Sequence, residues 1–219
     1  MMHAKDQPSV ILDWERPQRA LSWAIYNGGL TQAQSLAICQ IRNAELPETV
    51  DPTALLRERT TALGRSTAIG LLTSADVTRA GVELAEVCGA RAGALATVGL
   101  GNALRVGDAP TAAVAGTINI VCWVDLPLSA EALLEAMSIV VAARTMVVLE
   151  AGVQSTVSDG RATGTGTDCV VMSCPWSNEP PSNHYAGMHT SIGSAIGRAV
   201  SGAVAASLSR CSTPRRASA

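Results

Sequence analysis

Residues 117–150 read TINIVCWVDLPLSAEALLEAMSIVVAARTMVVLE, and this stretch decides the class of fold. Its first eight residues form an apolar run typical of a buried strand, interrupted only by the polar Asn119. From Ser129 onward the pattern predicts a long helix, because Ser129 can cap it, Glu131 lies in its first turn and Gly152 follows its end. This helix is apolar on most sides, so we expect a sheet to cover it.

Segments on both sides of this stretch have the spacing of further strands and helices. The predicted strands are Ser9–Trp14, Ala20–Tyr26, Thr67–Thr73, Gly93–Val98, Thr117–Val124 and Asp168–Cys174. The predicted helices are Thr31–Ile41, Pro52–Leu63, Thr78–Cys88, Ala130–Glu150 and Thr190–Leu208. Several strands follow one another directly, which differs from the strict alternation of a doubly wound fold. The pattern therefore predicts an α+β fold with a single layered domain.

Composition limits the domain count and the classes of partner. The chain has 219 residues, of which 47% are hydrophobic and 16% charged, and this is typical of a globular protein. We expect one domain over residues 9–209, with disordered ends at 1–8 and 210–219. A net charge of -2 argues against a nucleic-acid partner. Charged residues interrupt the apolar stretches before the roughly 20 residues that span a bilayer, so no membrane partner is expected.

Cysteine and histidine spacing predicts no metal site, and the G-x-G at Gly99-Leu100-Gly101 is too weak a fingerprint to predict an organic cofactor. The six cysteines form no CxxC pair, and His184 and His189 are five residues apart instead of the four that suit a metal on one helix face. Without a basic, apolar leader at the start of the sequence, we expect a cytoplasmic protein. The sequence is compatible with a homo-oligomer and does not determine the oligomeric state.

Four polar, glycine-rich junctions interrupt or end apolar strands, where functional groups tend to be displayed. Asn27-Gly28-Gly29 is a turn that can also offer amide donors. Leu72–Asp76 places two hydroxyls and a carboxylate after a strand, for a nucleophile or for a helix cap. The remaining two junctions are Val98–Ala103, which leads to Gly116–Ile120 with the unusual Asn119, and Thr163–Asp168, an oxyanion nest or a flexible loop.

In this order, the junctions resemble the adenosylcobinamide amidohydrolase family. The matching segments are Asn27–Leu30, Gly70–Asp76, Thr97–Ala103, Gly116–Ile120, Asp125–Ser129, Gly166–Asp168 and Tyr185–Thr190. The resemblance covers about residues 20–205 and implies hydrolysis of the aminopropanol amide of adenosylcobinamide, giving adenosylcobyric acid for cobalamin salvage. In this interpretation the corrinoid is the substrate, and the cobalt belongs to the substrate and is not a metal cofactor of the protein.

The resemblance also leads to an assignment of site residues. Amide hydrolysis needs a nucleophile, oxyanion donors and an acid for the leaving amine. We assign the attack to Thr73 or to a water held by Asp168, and the proton transfer to His189. The expected oxyanion donors are Asn27, Asn119 and the Gly164–Thr167 backbone. The expected substrate-binding residues are Trp23, Tyr26, Asp76, Asn102, Trp123, Gly164, Thr165, Gly166, Thr167 and Thr190.

A fainter similarity links Gly116–Ser129 and Gly166–Met172 to the self-processing aminopeptidases and ornithine acetyltransferases. Those enzymes have a layered αββα architecture and an N-terminal nucleophile, so the similarity favours a sandwich of mixed sheets flanked by helices. A self-processing peptidase or acyltransferase is therefore one alternative function. A corrinoid carrier without catalytic activity is another.

Overall fold

The computed structural model describes residues 8–47, 49–112 and 115–211, and these ranges contain nine strands and three helices. The strands are β1 (Ser9–Ser22), β2 (Gly29–Gln40), β3 (Ile69–Thr73), β4 (Gly81–Val87), β5 (Ala90–Val98), β6 (Ala103–Leu104), β7 (Ile118–Val124), β8 (Gly164–Thr165) and β9 (Cys169–Pro175). The helices are α1 (Pro52–Ala62), α2 (Ala130–Glu150) and α3 (Ser191–Ser209).

Seven strands form one mixed sheet in the order β3-β2-β1-β9-β7-β5-β4, while β6 and β8 pair separately. The β2–β3 and β7–β9 pairs are parallel, and the other neighbours are antiparallel. The sheet curls over itself. One buried cluster contains Leu36 and Ile69 from β2 and β3 together with Leu95 and Val121 from β5 and β7, although these two strand pairs are not neighbours in the sheet.

The curl produces four layers. Helices α2 and α3 cover the outer face of β4, β5, β7 and β9 through the largest buried cluster, which includes Ile120, Val140 and Ile196. Helix α1 covers the outer face of β2 through a smaller cluster around Leu56 and Cys39. The order is helix, sheet, sheet, helix, with both sheet layers belonging to the same curled sheet. The predicted α+β layered domain is confirmed.

Helix α2 begins and ends as its sequence predicts. The Ser129 hydroxyl accepts a hydrogen bond from the Ala132 amide, and Gly152 follows the helix with φ 69°. By length and composition alone α2 could cross a membrane, since an 18-residue window has mean hydropathy 1.9. This differs from the expectation that charge interrupts every long apolar stretch. Here one face of α2 packs against α3 and β9.

Two of the five predicted helices are wrong. The segment predicted as a helix at Thr31–Ile41 is strand β2, whose residues 36–39 are buried on both faces between the inner cluster and α1. A strand covered on both faces loses the alternation that identifies strands. The segment Thr78–Cys88 is a short 3-10 turn followed by edge strand β4. A tight turn at Cys88-Gly89, with φ 48° and 83°, returns the chain into β5.

The other predicted elements are present with small shifts in their bounds. The predicted strands Ser9–Trp14 and Ala20–Tyr26 form the single strand β1, which contains an irregularity between Asp13 and Gln18. The ends predicted to be disordered lie largely outside the described residues. Only Pro8, Arg210 and Cys211 of these ends are described.

Gly93 is required for the packing of β5 against β7, because a Cβ atom there would overlap the Trp123 indole. We expect Gly93→Ala to lower the free energy of unfolding by about 1–3 kcal/mol through overpacking. Gly197 in α3 is the matched control, since its Cβ would meet only Ile139 at 4.0 Å. Gly197→Ala should raise the free energy of unfolding by about 0.5–1 kcal/mol. Urea unfolding of both variants measures the difference, and equal effects would contradict the packing argument.

Candidate active site

A cleft of about 650 Å³ opens at the edge of the curled sheet. Its walls come from the segment after β1, the end of β3 and the loops that lead into β7 and β9. The sequence-predicted residues that line it are Trp23, Thr73, Asn119, Thr167 and Asp168. The curl therefore gathers side chains that are far apart in sequence.

The Asp168 carboxylate is held by donors from three elements. Its Oδ1 accepts hydrogen bonds from the Ile118 amide, at 3.1 Å, and from the Thr165 hydroxyl. Its Oδ2 accepts from the Thr165 amide, at 3.0 Å, and forms an ion pair with Arg144. A carboxylate has about four lone-pair sites, and all four are filled here. The carboxylate therefore has no site left for the water that we assigned to it, and its contacts are those of an anchor.

Arg144 is the one partner of this anchor that the sequence analysis missed. It lies on α2 with its side chain 12% exposed, and Asp168 is 9% exposed. Burial lowers the pKa of Arg144, and its Nε has no hydrogen-bond partner in the part of the chain that the structure describes. A buried charge of this kind needs its counter-ion. The available signal was a lone charge in the apolar second half of the helix.

Asn119 lies on the floor of the cleft and is 1% exposed. Its Nδ2 donates to the Leu72 carbonyl at 2.8 Å, which joins β7 to β3 across the fold of the sheet. Its Oδ1 is buried, and no described residue gives it a hydrogen bond. Only an N–H group can face a carbonyl oxygen favourably, so this bond fixes the amide orientation. The unpaired atom is therefore an acceptor, while one of the two Nδ2 hydrogens is bonded to the Leu72 carbonyl.

Hydroxyl groups form the polar wall of the cleft. Thr73 is 2% exposed, and its Oγ1 accepts a hydrogen bond from the Ala75 amide at 3.1 Å. The hydroxyls of Thr117 and Thr167 are 2.7 Å apart, and Thr167 donates to the Gly116 carbonyl at 2.8 Å. In this chain of bonds Thr117 must be the donor to Thr167. The wall thus presents hydroxyl oxygens and no free charge.

Trp23 stands at the rim with 48% of its surface exposed. Its indole N–H donates to the Asp168 carbonyl at 2.7 Å, so the anchor also fixes the ring. Ile25, which is 56% exposed, continues an apolar rim, and the buried Ile41 also lines the cleft. An oriented indole beside exposed aliphatic groups suits a large, flat and largely apolar ligand.

Tyr26 and Asn27 have structural contacts and do not line the cleft. The Tyr26 hydroxyl donates to the Ser66 carbonyl at 2.8 Å, and the ring packs in the cluster beneath α1. Asn27 has φ 53° and donates to the Ala68 carbonyl at 2.9 Å. The expectation that Asn27 is an oxyanion donor therefore has no support in these contacts. The Asn27-Gly28 pair therefore forms a turn, which is the first of the two roles that its sequence predicted.

Asp76 and Trp123 lie near the predicted motifs but outside the cleft lining. The Asp76 carboxylate accepts from the amide and hydroxyl of Thr78, and these bonds lower the pKa of Asp76. It therefore caps the short turn that follows β3. Trp123 lies over Gly93 and packs against the inner cluster.

His189 and Thr190 lie at the opposite end of α2 from the cleft. Glu135, in the second turn of α2, accepts a hydrogen bond from the Ala186 amide at 2.7 Å. It precedes Arg144 by nine residues, about 13 Å along the helix. Thr190 caps α3 by accepting from the Gly193 amide at 2.9 Å. His189 is exposed and is not brought to Thr73 or Asp168, so it does not supply the proton in this arrangement.

Most of the Gly164–Thr167 segment contacts the β6 region and does not line the cleft. Gly164 and Thr165 form β8 against β6, and the Gly166 amide donates to the Asn102 carbonyl at 3.1 Å. Asn102 is 5% exposed and does not line the cleft. Within the segment, Thr167 is the residue that reaches the cleft.

The described part of the chain contains no cluster of metal-ligating side chains, and the one cysteine that lines the cleft is a partly buried thiol. Within residues 8–47, 49–112 and 115–211, no group of three His, Cys, Asp or Glu side chains could hold a metal ion. Cys169 lines the cleft, but burial raises its pKa to about 11. At neutral pH this thiol is protonated, and thiolates are the nucleophilic form.

The chain was compared with solved structures, with curated proteins and with protein-family models. The PH0078 protein from Pyrococcus horikoshii OT3 is similar in structure, with 14% sequence identity, 92% of this chain and 77% of that chain covered, and a TM-score of 0.41. No curated protein matches the chain. The family model described as adenosylcobinamide amidohydrolase matches residues 1–215. With a match over nearly its whole length, the chain belongs to the adenosylcobinamide amidohydrolase family, whose activity is that of a corrinoid-salvage hydrolase.

Proposed function

We propose that the protein hydrolyses the amide that joins aminopropanol to the corrin ring of adenosylcobinamide, releasing adenosylcobyric acid and aminopropanol. The observation that carries the proposal is the cleft floor, where a buried hydroxyl and an unpaired buried amide oxygen lie inside an apolar rim. Family membership supplies the substrate class. All six cysteines are free, which supports a cytoplasmic location as part of the same proposal.

Thr73 is the nucleophile in this proposal. Its Oγ1 lines the cleft and already accepts one hydrogen bond from the Ala75 amide, which holds the side chain in place. Attack on the carbonyl carbon joins Oγ1 to the substrate, the hydroxyl proton passes to the amide nitrogen, and aminopropanol leaves as the C–N bond breaks. Water then hydrolyses the resulting ester and restores the Thr73 hydroxyl.

Asp168 and Arg144 position the site in this scheme. The carboxylate joins the start of β7, the β8 loop and α2, and its backbone carbonyl orients Trp23. The corrin macrocycle is too large for the cleft to enclose. It would lie across the mouth, against Trp23 and Ile25, while the aminopropanol arm enters toward Thr73.

The primary test is incubation of the purified protein with adenosylcobinamide, followed by chromatography and mass measurement of the corrinoid. We expect adenosylcobyric acid and free aminopropanol in equal amounts. A denaturing gel of the same sample should show one band, whereas a self-processing peptidase would give two. Co-elution of an unchanged corrinoid with folded protein would contradict hydrolysis and support a carrier.

Thr73 variants test the nucleophile. Thr73→Ala should lower kcat by at least about a hundredfold, because it removes the attacking oxygen. Thr73→Ser keeps a hydroxyl and should retain most of that activity. Ser74→Ala is the matched control, since Ser74 lines the same cleft without a part in the scheme. Full activity of a folded Thr73→Ala variant would remove Thr73 from the mechanism.

The anchor makes a prediction about stability. Asp168→Asn leaves the buried Arg144 charge uncompensated, so the free energy of unfolding should fall by about 3–5 kcal/mol. Adding Arg144→Met removes that charge, and the double variant should recover a large part of the loss. Denaturant unfolding of the single and double variants measures the coupling. Strictly additive losses would show that the two side chains do not depend on each other.

A further inference from the structure

An unsatisfied acceptor on the cleft floor points to a contact with the substrate. Asn119 is 1% exposed, and its Oδ1 is buried with no partner among the described residues. Leaving such a group unpaired costs about 1–3 kcal/mol, so native proteins do so rarely and often at functional sites. Since Asn119 lines the cleft, a bound ligand can supply the missing donor.

The geometry of the neighbouring strand fixes what that ligand must offer. The bond from one N–H of Asn119 Nδ2 to the Leu72 carbonyl fixes the amide so that Oδ1 is the atom without a partner among the described residues. A carbonyl oxygen accepts hydrogen bonds and cannot stabilise a developing oxyanion. The substrate must therefore present an N–H or O–H group at this position.

The position of the acceptor favours an N–H group at the reacting bond. Leu72, which holds Asn119, immediately precedes the proposed nucleophile Thr73 in β3. Both side chains line the same cleft. Asn119 and Thr73 thus face the same cleft, and in a secondary amide the N–H is on the atom next to the carbonyl carbon that Thr73 would attack.

We infer that Asn119 Oδ1 accepts a hydrogen bond from the N–H of the amide that is cleaved, and that this contact makes the enzyme selective for secondary amides over esters. The inference rests on the proposed function. It changes Asn119 from the expected oxyanion donor to a specificity-determining residue. An ester, which has an oxygen in place of N–H, would leave the buried acceptor unpaired and place two oxygens against each other.

The test compares adenosylcobinamide with its ester analogue, in which oxygen replaces the amide nitrogen, using wild-type protein and Asn119→Leu. Loss of the contact should lower kcat/KM for the amide by at least tenfold more than for the ester, an order-of-magnitude expectation for an unpaired buried group. A purely structural effect of the substitution lowers both values together and leaves their ratio unchanged. An unchanged ratio would overturn the inference.

Thr97→Val provides the matched control. Thr97 lies directly opposite Asn119 in the β5–β7 pair, is 1% exposed, and also has a buried oxygen without a partner. It does not line the cleft, so the amide-to-ester ratio should stay at the wild-type value. A ratio that changes equally in both variants would contradict a specific contact at Asn119.

Two further arms separate the alternatives. An analogue without the aminopropanol hydroxyl should show the same dependence on Asn119 as adenosylcobinamide; if its dependence disappears, Asn119 binds the hydroxyl and the assignment to the N–H is overturned. Should Asn119→Leu fail to fold, equilibrium binding to Thr73→Ala replaces it, and the amide should bind at least about tenfold more tightly than the ester. Wild-type protein that hydrolyses neither compound would refute the proposed function itself.

Discussion

The Asp168 carboxylate is the interaction on which the cleft depends. Its four hydrogen bonds and ion contacts come from the start of β7, the β8 loop and α2, and its own carbonyl holds Trp23. These elements are distant in sequence, and the bonds join them at one edge of the curled sheet. Because the ion pair is buried, removing either charge leaves the other exposed to a low-dielectric interior. The Asp168 contacts therefore hold the floor of the cleft and the Trp23 ring at its rim in fixed positions relative to each other.

The elements with a clear pattern could be predicted from sequence, and the errors have a common physical cause. Helix α2 has a cap, an acidic first turn and a terminal glycine, so its bounds follow from local chemistry. Strand β2 is covered on both faces by the curl and by α1, which removes the alternation that would identify it. Strand β4 follows an Asp-capped turn that resembles a helix start. Local capping signals therefore do not distinguish a short turn from a long helix.

Five of the predicted site residues line the cleft, and Asn119 is the one that the sequence marked by a conflict with its surroundings. Asn119 is a polar side chain in an apolar strand, and it does lie on the cleft floor. Its acceptor role depends on the Leu72 carbonyl, which belongs to a strand far away in the sheet order. No sequence spacing encodes that contact. His189 shows the converse, since a histidine at a helix start has suitable chemistry but lies at the wrong end of α2.

The low charge of the cleft constrains how an amide can be cleaved there. Asp168 has no free lone pair, Cys169 is protonated at neutral pH, and the remaining polar groups lining the described cleft are hydroxyls, side-chain amides and backbone. In the proposed reaction the barrier is lowered in part by orientation, which can supply roughly 7–11 kcal/mol when reacting groups are held in place. Orientation here requires β3 and β7 to approach each other. The proposed chemistry therefore requires the curl of the sheet, as the fold does.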